Sequence, residues 1–153
     1  SYVIADVVPK KAEEIKEAVI TKNLKDTSVS NMDMDIYAKS GNQPCKDIYT
    51  KVEFYSTKPK IEMAMVELAK QMQGDIVGYC SLYDLYEKIG VPTENIPAFS
   101  HTVGWEVSDI INGTLPITIA TCWDKSETVP LIGIDTSSAY EGFTNGGRFR
   151  DEY

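Results

Sequence analysis

One stretch, residues 81–105 (SLYDLYEKIGVPTENIPAFSHTVGW), carries its own start and stop signals and constrains the fold more than any other. Ser81 is an N-cap residue type, and Asp84 sits where a capping-box acid reaches back to the free amides of the first helical turn. Leu82, Leu85, Tyr86 and Ile89 recur at i, i+3, i+4 and i+7, so one face of this helix must be buried. Gly90 supplies a left-handed C′ residue and Pro92 forbids continuation. So short a helix, apolar along one side, needs a layer to cover, and the rest of the chain has to provide it.

The chain before it supplies strands and two further helices. Residues 1–8, with Val3, Ile4, Val7 and Val8, read as an extended segment or the tail of an upstream element. Pro9 suits a first helical turn, and a helix follows to about Asn23, with Ala12, Ile15, Ala18 and Val19 as a narrow apolar stripe among Lys and Glu. A solvated face explains the mixed charges; a partner-docking or coiled-coil stalk is the sharper reading. Residues 32–37 alternate as a half-buried strand. Ser40, Gly41, Asn42 and Pro44 then have turn chemistry, and residues 47–55 alternate again, predicting a hairpin. Ser56 and Thr57 are N-cap candidates for a helix in which Ile61, Met65, Leu68 and Met72 repeat until Gly74; its methionines are core filler. Residues 75–80 form a short apolar link.

After the organising helix, residues 93–100 read as a surface loop, and three β-like runs follow at 102–107, 116–123 and 131–136. Asn112–Gly113 and residues 125–128 fall between them at hairpin positions, which predicts an antiparallel meander. The tail from Ser137 is rich in glycine and charge, with Tyr140, Phe143, Phe149 and Tyr153 as aromatic points that fray or dock on a neighbour. The expected architecture is therefore a single α+β domain over residues 1–153, with two or three helices packed on one face of a mainly antiparallel sheet. Residues 1–25 form an N-terminal helical arm and residues 137–153 a C-terminal aromatic tail.

Charge and cysteine usage narrow the function classes. With 23 acidic against 15 basic residues and a net charge of -8, the chain repels a phosphate backbone on average, so nucleic acid is not an expected partner. A nucleic-acid mimic needs a dense carboxylate face, and these acids are spread along the chain. Cys45, Cys80 and Cys122 are odd in number and without a CxxC, which fits neither a disulfide framework nor a zinc site and favours a reducing compartment. No run approaches the roughly 18 apolar residues of a membrane span, so no membrane contact is expected here. A start at Ser1 rather than Met fits a piece of something longer, with a membrane or other segment upstream.

Candidate chemistry is sparse. His101 is the one histidine, and it can be drawn with neighbouring Ser100 or with Cys122 as a nucleophilic site, although no GxSxG elbow is present. Asp33 and Asp35 share a strand face about 7 Å apart, close enough to share a cation if a third oxygen donor came near but more often simply the wet face of a half-buried strand, and Asp135 adds an acid unconnected with them. Neither GxxxxGK[ST] nor GxGxxG occurs. Trp105 and Trp123 read as lying on neighbouring strands, packed in the core or lining a pocket. No catalytic, cofactor-binding or metal-binding residue is assigned, and no cofactor is expected.

SLYDLYEKIGVP, the GW at Gly104–Trp105 and the β run ending in Ile134–Asp135 resemble an uncharacterised family encoded by phages and prophages of Gram-positive bacteria. That family has a segment like SLNDFYDxLGLP before a GW and a hairpin ending in an apolar–acid pair, and DIYTKVEFYST is similarly placed. The likeness covers residues 45–136. The loop at 93–100 is longer than usual, and residues 125–128 replace an acidic turn. Members commonly carry hydrophobic segments upstream. The resemblance implies a phage origin and supplies no activity. The expected function is a non-enzymatic structural or protein-interaction protein, a virion component among the options, located in the virion or host cytoplasm. It would bind protein, either itself or other phage proteins, through Ile15, Val19, Tyr140, Phe143, Phe149 and Tyr153. The alternatives are an inhibitor of a host defence protein or host enzyme, and a small Cys/Ser–His hydrolase.

Overall fold

The computed structural model describes residues 2–25, 27 and 41–145, with side chains described from residue 11 onward. Helix α1 spans Tyr2–Leu24. The expectation of an extended segment before Pro9 is corrected: the helix already runs through those residues. Val3, Val7 and Ile4, Val8 are each one turn apart, and β-branched residues are only slightly disfavoured in helices, so their β propensity does not decide the matter.

Strands β1 (Gln43–Asp47) and β2 (Glu53–Ser56) form an antiparallel hairpin, with Cys45 opposite Phe54 and Lys46 opposite Glu53. Its turn lies at residues 48–51, inside the run read as one strand, while Pro44, read as a turn residue, lies in β1. The reason is a local device. The Lys51 amide donates to the Asp47 carbonyl at 2.8 Å and the Tyr49 amide to Asp47 Oδ1 at 3.0 Å, and Lys51 takes a φ of 69°. An Asx-type turn of this kind overrides an alternating pattern. Residues 32–37, with Asp33 and Asp35, lie outside the described residues.

Helix α2 (Lys58–Gly74) begins as its composition predicts: Thr57 Oγ1 accepts from the Lys60 amide at 3.2 Å. Helix α3 (Leu82–Ile89) carries the capping box in full, with the Asp84 amide donating to Ser81 Oγ at 3.1 Å and the Ser81 amide to Asp84 Oδ2 at 2.9 Å. Gly90 closes it at φ 102°, and all four predicted apolar positions are fully buried. The region read as a surface loop is built of 3-10 turns at Thr93–Asn95 and Ala98–His101.

The expected three-run meander separates into two sheets. Strands β5 (Thr118–Trp123) and β6 (Pro130–Asp135) form a hairpin, closed by the Asp124 carboxylate, whose Oδ1 accepts from the Thr128 and Val129 amides at 3.0 Å each. Strand β4 (Gly104–Glu106) instead pairs with β3 (Tyr79–Ser81), just ahead of α3. Asn112 and Gly113, at φ 54° and 76°, make the left-handed pair of a type I′ turn, but it closes only the Ile111–Thr114 bridge. Trp105 and Trp123 are thus on different sheets, the first fully buried and the second exposed.

The four-stranded sheet runs β2-β1-β6-β5, with β1 and β6 parallel and the other pairs antiparallel. One face carries Cys45, Phe54, Ile132 and Ile134 into a single core with α2, α3 and Trp105. The opposite face, with Ala120 and Gly133, is covered by Ile20 and Leu24 from the last turns of α1. Gly133 is where α1 comes closest: a Cβ there would stand 2.2 Å from Ile20 Cγ2 and 2.5 Å from Leu24 Cδ1. Gly133→Ala is therefore expected to loosen α1 at a cost of about 1–3 kcal/mol: Leu24 Cδ1 can swing aside, but Ile20 Cγ2 sits on a stiff β-branched carbon, so the helix itself must shift. Amide hydrogen exchange should then quicken along α1 while the core stays protected.

Candidate functional site

A buried polar cluster at the end of β1 faces inward. Asp47, at the end of β1, is fully buried, and its Oδ2 accepts from Tyr86 Oη at 2.6 Å and from Thr136 Oγ1 at 2.5 Å. Tyr86 Oη is also hydrogen-bonded to Thr50 Oγ1. Burial pushes the Asp47 carboxyl above its ordinary range, against the pull of the Thr136 and Tyr86 hydroxyls and the Tyr49 and Thr136 amides. Burial and the neighbouring Asp47 charge push the Tyr86 phenol up as well. The contacts of this cluster tie the β1–β2 turn, α3 and the end of β6 to one another. It is a device that positions α3.

The drawn nucleophilic site does not come together. Ser100 is fully buried and its Oγ has no hydrogen-bond partner, so it does not engage His101. The His101 ring stacks instead on Tyr83 of α3, centroids 3.9 Å apart. Cys122 packs with the α1 cluster on the other face of the main sheet. Burial raises the pKa of all three thiols, Cys45 and Cys80 to about 12, which keeps them protonated and poorly nucleophilic at neutral pH.

The tail, as far as it is described, folds back on its own chain. The Tyr140 amide donates to the Gly104 carbonyl at 3.0 Å and the Gly104 amide to the Tyr140 carbonyl at 3.2 Å, adding a bridge beside β4. Tyr140 Oη donates to Asp109 Oδ2 at 2.9 Å; burial, then this bond, push the phenol pKa up. Phe143 is buried edge-on against Tyr79, centroids 5.6 Å apart. Trp105 Nε1 donates to Ser138 Oγ at 2.9 Å, fastening the start of the tail over the core. Phe149 and Tyr153 lie outside the described residues.

Ile15 and Val19 have a different setting. They are 63% and 45% exposed, and Ala12 and Ala18 beside them are exposed too. Among the described side chains of α1, Ile20 and Leu24 hold its end to the sheet, two residues that the apolar stripe read from the sequence had left out. Residues 11–19 are exposed and carry that stripe with no cover from the described residues. A concave feature lies between α2 and α3, a cavity of about 330 Å³ lined by Leu68, Met72, Tyr79 and Cys80 with Asp84 and Glu87. Lys88 at its edge is engaged by Glu67 at 3.0 Å. Among the described residues no helix is long and apolar enough to cross a membrane.

Sequence reasoning found the α1 stripe from its spacing but missed the Asp47 cluster, whose members Tyr86 and Thr136 are 39 and 89 residues away along the chain. No local pattern announces such a meeting. Comparison with known proteins yields a match of residues 1–140 to the model of a family described as a family of unknown function (DUF6353). No curated protein and no solved structure matches the chain.

Proposed function

The chain belongs to the DUF6353 family of unknown function, and we propose that it is a non-enzymatic protein-interaction protein that engages its partner through α1, a structural or virion component of a phage. The observation that carries the reading is the exposed apolar stripe of Ile15 and Val19, ahead of the Ile20 and Leu24 turns that dock on the sheet. A helix whose apolar residues find no home in their own domain gains burial by docking on another surface, at about 25 cal/mol per Å² of apolar area covered. The phage setting rests on the resemblance of the segment around α3 and Gly104–Trp105.

The test is mass spectrometry of purified phage particles made with the wild-type chain and with Ile15→Asp/Val19→Asp. Both positions are exposed, so the double variant is expected to keep its thermal stability within about 0.5 kcal/mol. Incorporation of the wild type and loss of the variant is the expected result. Absence of the wild type from particles overturns the virion role, and equal incorporation of the variant overturns the assignment to α1.

A further inference from the structure

We infer that the exposed face of α1 is built to receive an amphipathic helix of a different protein, one whose apolar seam is flanked by acidic residues, and not a second copy of α1. The inference rests on α1 being the interaction element and adds the chemistry of what it binds. Its first ground is the shape of the apolar face. Ala12, Ile15 and Val19 are exposed and spaced i, i+3 and i+7, the narrow seam of coiled-coil packing.

The second ground is where the charges sit. At 100° per residue, Lys11 and Lys16 lie about 70° to either side of the seam's centre line, the positions that flank a coiled-coil seam. Lys22, at i+10, takes the next seam position itself and ends the apolar run with a positive charge. Glu13, Glu14 and Glu17 are all more than about 120° away. All of these lysines and glutamates are exposed. Glu13, Glu14 and Glu17 thus point away from whatever covers the seam, while Lys11 and Lys16 flank it.

That division decides between occupants. In a parallel pair of α1 helices, Lys11 of one copy faces Lys16 of the other, and in an antiparallel pair lysine flanks face lysine flanks again. Like charges at flanking positions select against self-pairing, while the same lysines attract a seam edged by Glu or Asp. The sheet-docking residues Ile20 and Leu24 point to the side remote from the seam, so a partner helix would not displace them.

The experiment uses the full chain and two synthetic helical peptides of about 28 residues with the same Ile/Leu seam, one flanked by Glu and one by Lys. Calorimetry is expected to show the Glu-flanked peptide binding at least roughly tenfold tighter, with the difference collapsing near 1 M salt. Ile15→Asp/Val19→Asp should abolish binding, and Lys11→Glu/Lys16→Glu should reverse the preference, both without change in circular dichroism. Equal binding of the two peptides, binding of neither, or concentration-dependent dimerisation through α1 in light scattering overturns the inference. Adsorption to phosphatidylglycerol-containing vesicles in place of peptide binding overturns it also. The underlying reading fails separately: if Ile15→Asp/Val19→Asp leaves particle incorporation intact, α1 is not the interaction element. If that variant loses incorporation but Lys11→Glu/Lys16→Glu does not, α1 stands and the acidic partner falls.

Discussion

Gly104→Ala is expected to cost more than about 4 kcal/mol and to leave little soluble folded protein, the largest effect expected of a glycine-to-alanine change among the described residues. A Cβ at Gly104 would stand 2.1 Å from the Cys80 carbonyl oxygen, 2.8 Å from Ser81 Cα and 2.9 Å from a Phe143 ring carbon. Two of those three atoms are backbone and cannot step aside. Moving them opens the β3–β4 pair, withdraws Ser81 from the N-cap of α3 and unseats Phe143 from Tyr79. The demand is for space and not for an unusual dihedral. Gly113→Ala is the matched control: at φ 76° it is strained, yet its Cβ would meet nothing, so a loss near 1 kcal/mol is expected. Urea unfolding of the two variants, followed by the fluorescence of buried Trp105, separates clash from strain. Equal losses would show that the close approach at Gly104 is not what holds β3 and β4 together.

The second large effect is at Asp47. Asp47→Ala is expected to destabilise the fold by about 2–4 kcal/mol, because the buried Thr136 hydroxyl and the Tyr49 amide lose their acceptor while Tyr86 keeps only Thr50. The pH dependence has the opposite sign to that of an ordinary paired carboxylate. Since the folded-state pKa of Asp47 is raised, the native state binds its proton more tightly than the unfolded chain. Its contribution is fully present below the unfolded value near 3.9 and is lost as pH rises through the folded pKa. Asp124 behaves in the reverse way. Burial pushes its pKa up, but the Ser126 hydroxyl and the Val129, Thr128 and Ser126 amides outweigh that and draw it down, so its stabilisation is lost as pH falls through the folded value. Asp47→Asn should therefore flatten the decline in stability above about pH 4, and Asp124→Asn the decline on acidification. Unfolding free energies of the three proteins across pH 2–8 read this out. An Asp47→Asn difference curve independent of pH would refute the raised pKa.

The helices could be read in advance because their signals are local. Ser81, Asp84 and Gly90 act within a turn or two of their own position, and the capping box and left-handed stop are found where their residue types predict. Thr57 and the Ile61–Met65–Leu68–Met72 series are equally self-contained. Strand boundaries were less legible. Alternation in residues 47–55 takes no account of an aspartate that turns the chain at its own position and anchors that turn to residues far away in sequence. The same limit explains β4: its residues have β character, but whether they extend a meander or pair with β3 depends on which edge they meet in space.

For the candidate interaction residues the division is sharper. Spacing placed Ile15 and Val19 on one stripe of α1, and the alternation of lysine and glutamate around that stripe is written in the chain. Whether the stripe was core or surface was not, because α1 can rotate to bury either side, and the side that won is the one where Ile20 and Leu24 fit over Gly133. Tyr140 and Phe143 looked equally available in a glycine-rich tail, until the backbone of Gly104 offered Tyr140 a bridge and Tyr79 offered Phe143 a ring edge. Propensity, caps and charge pattern act between neighbours in sequence, so the chain alone specified three helices, their stops and the basic flanks of α1. Burial and strand pairing act between residues far apart in the chain, and only the assembled layers decided which apolar side chains were left uncovered.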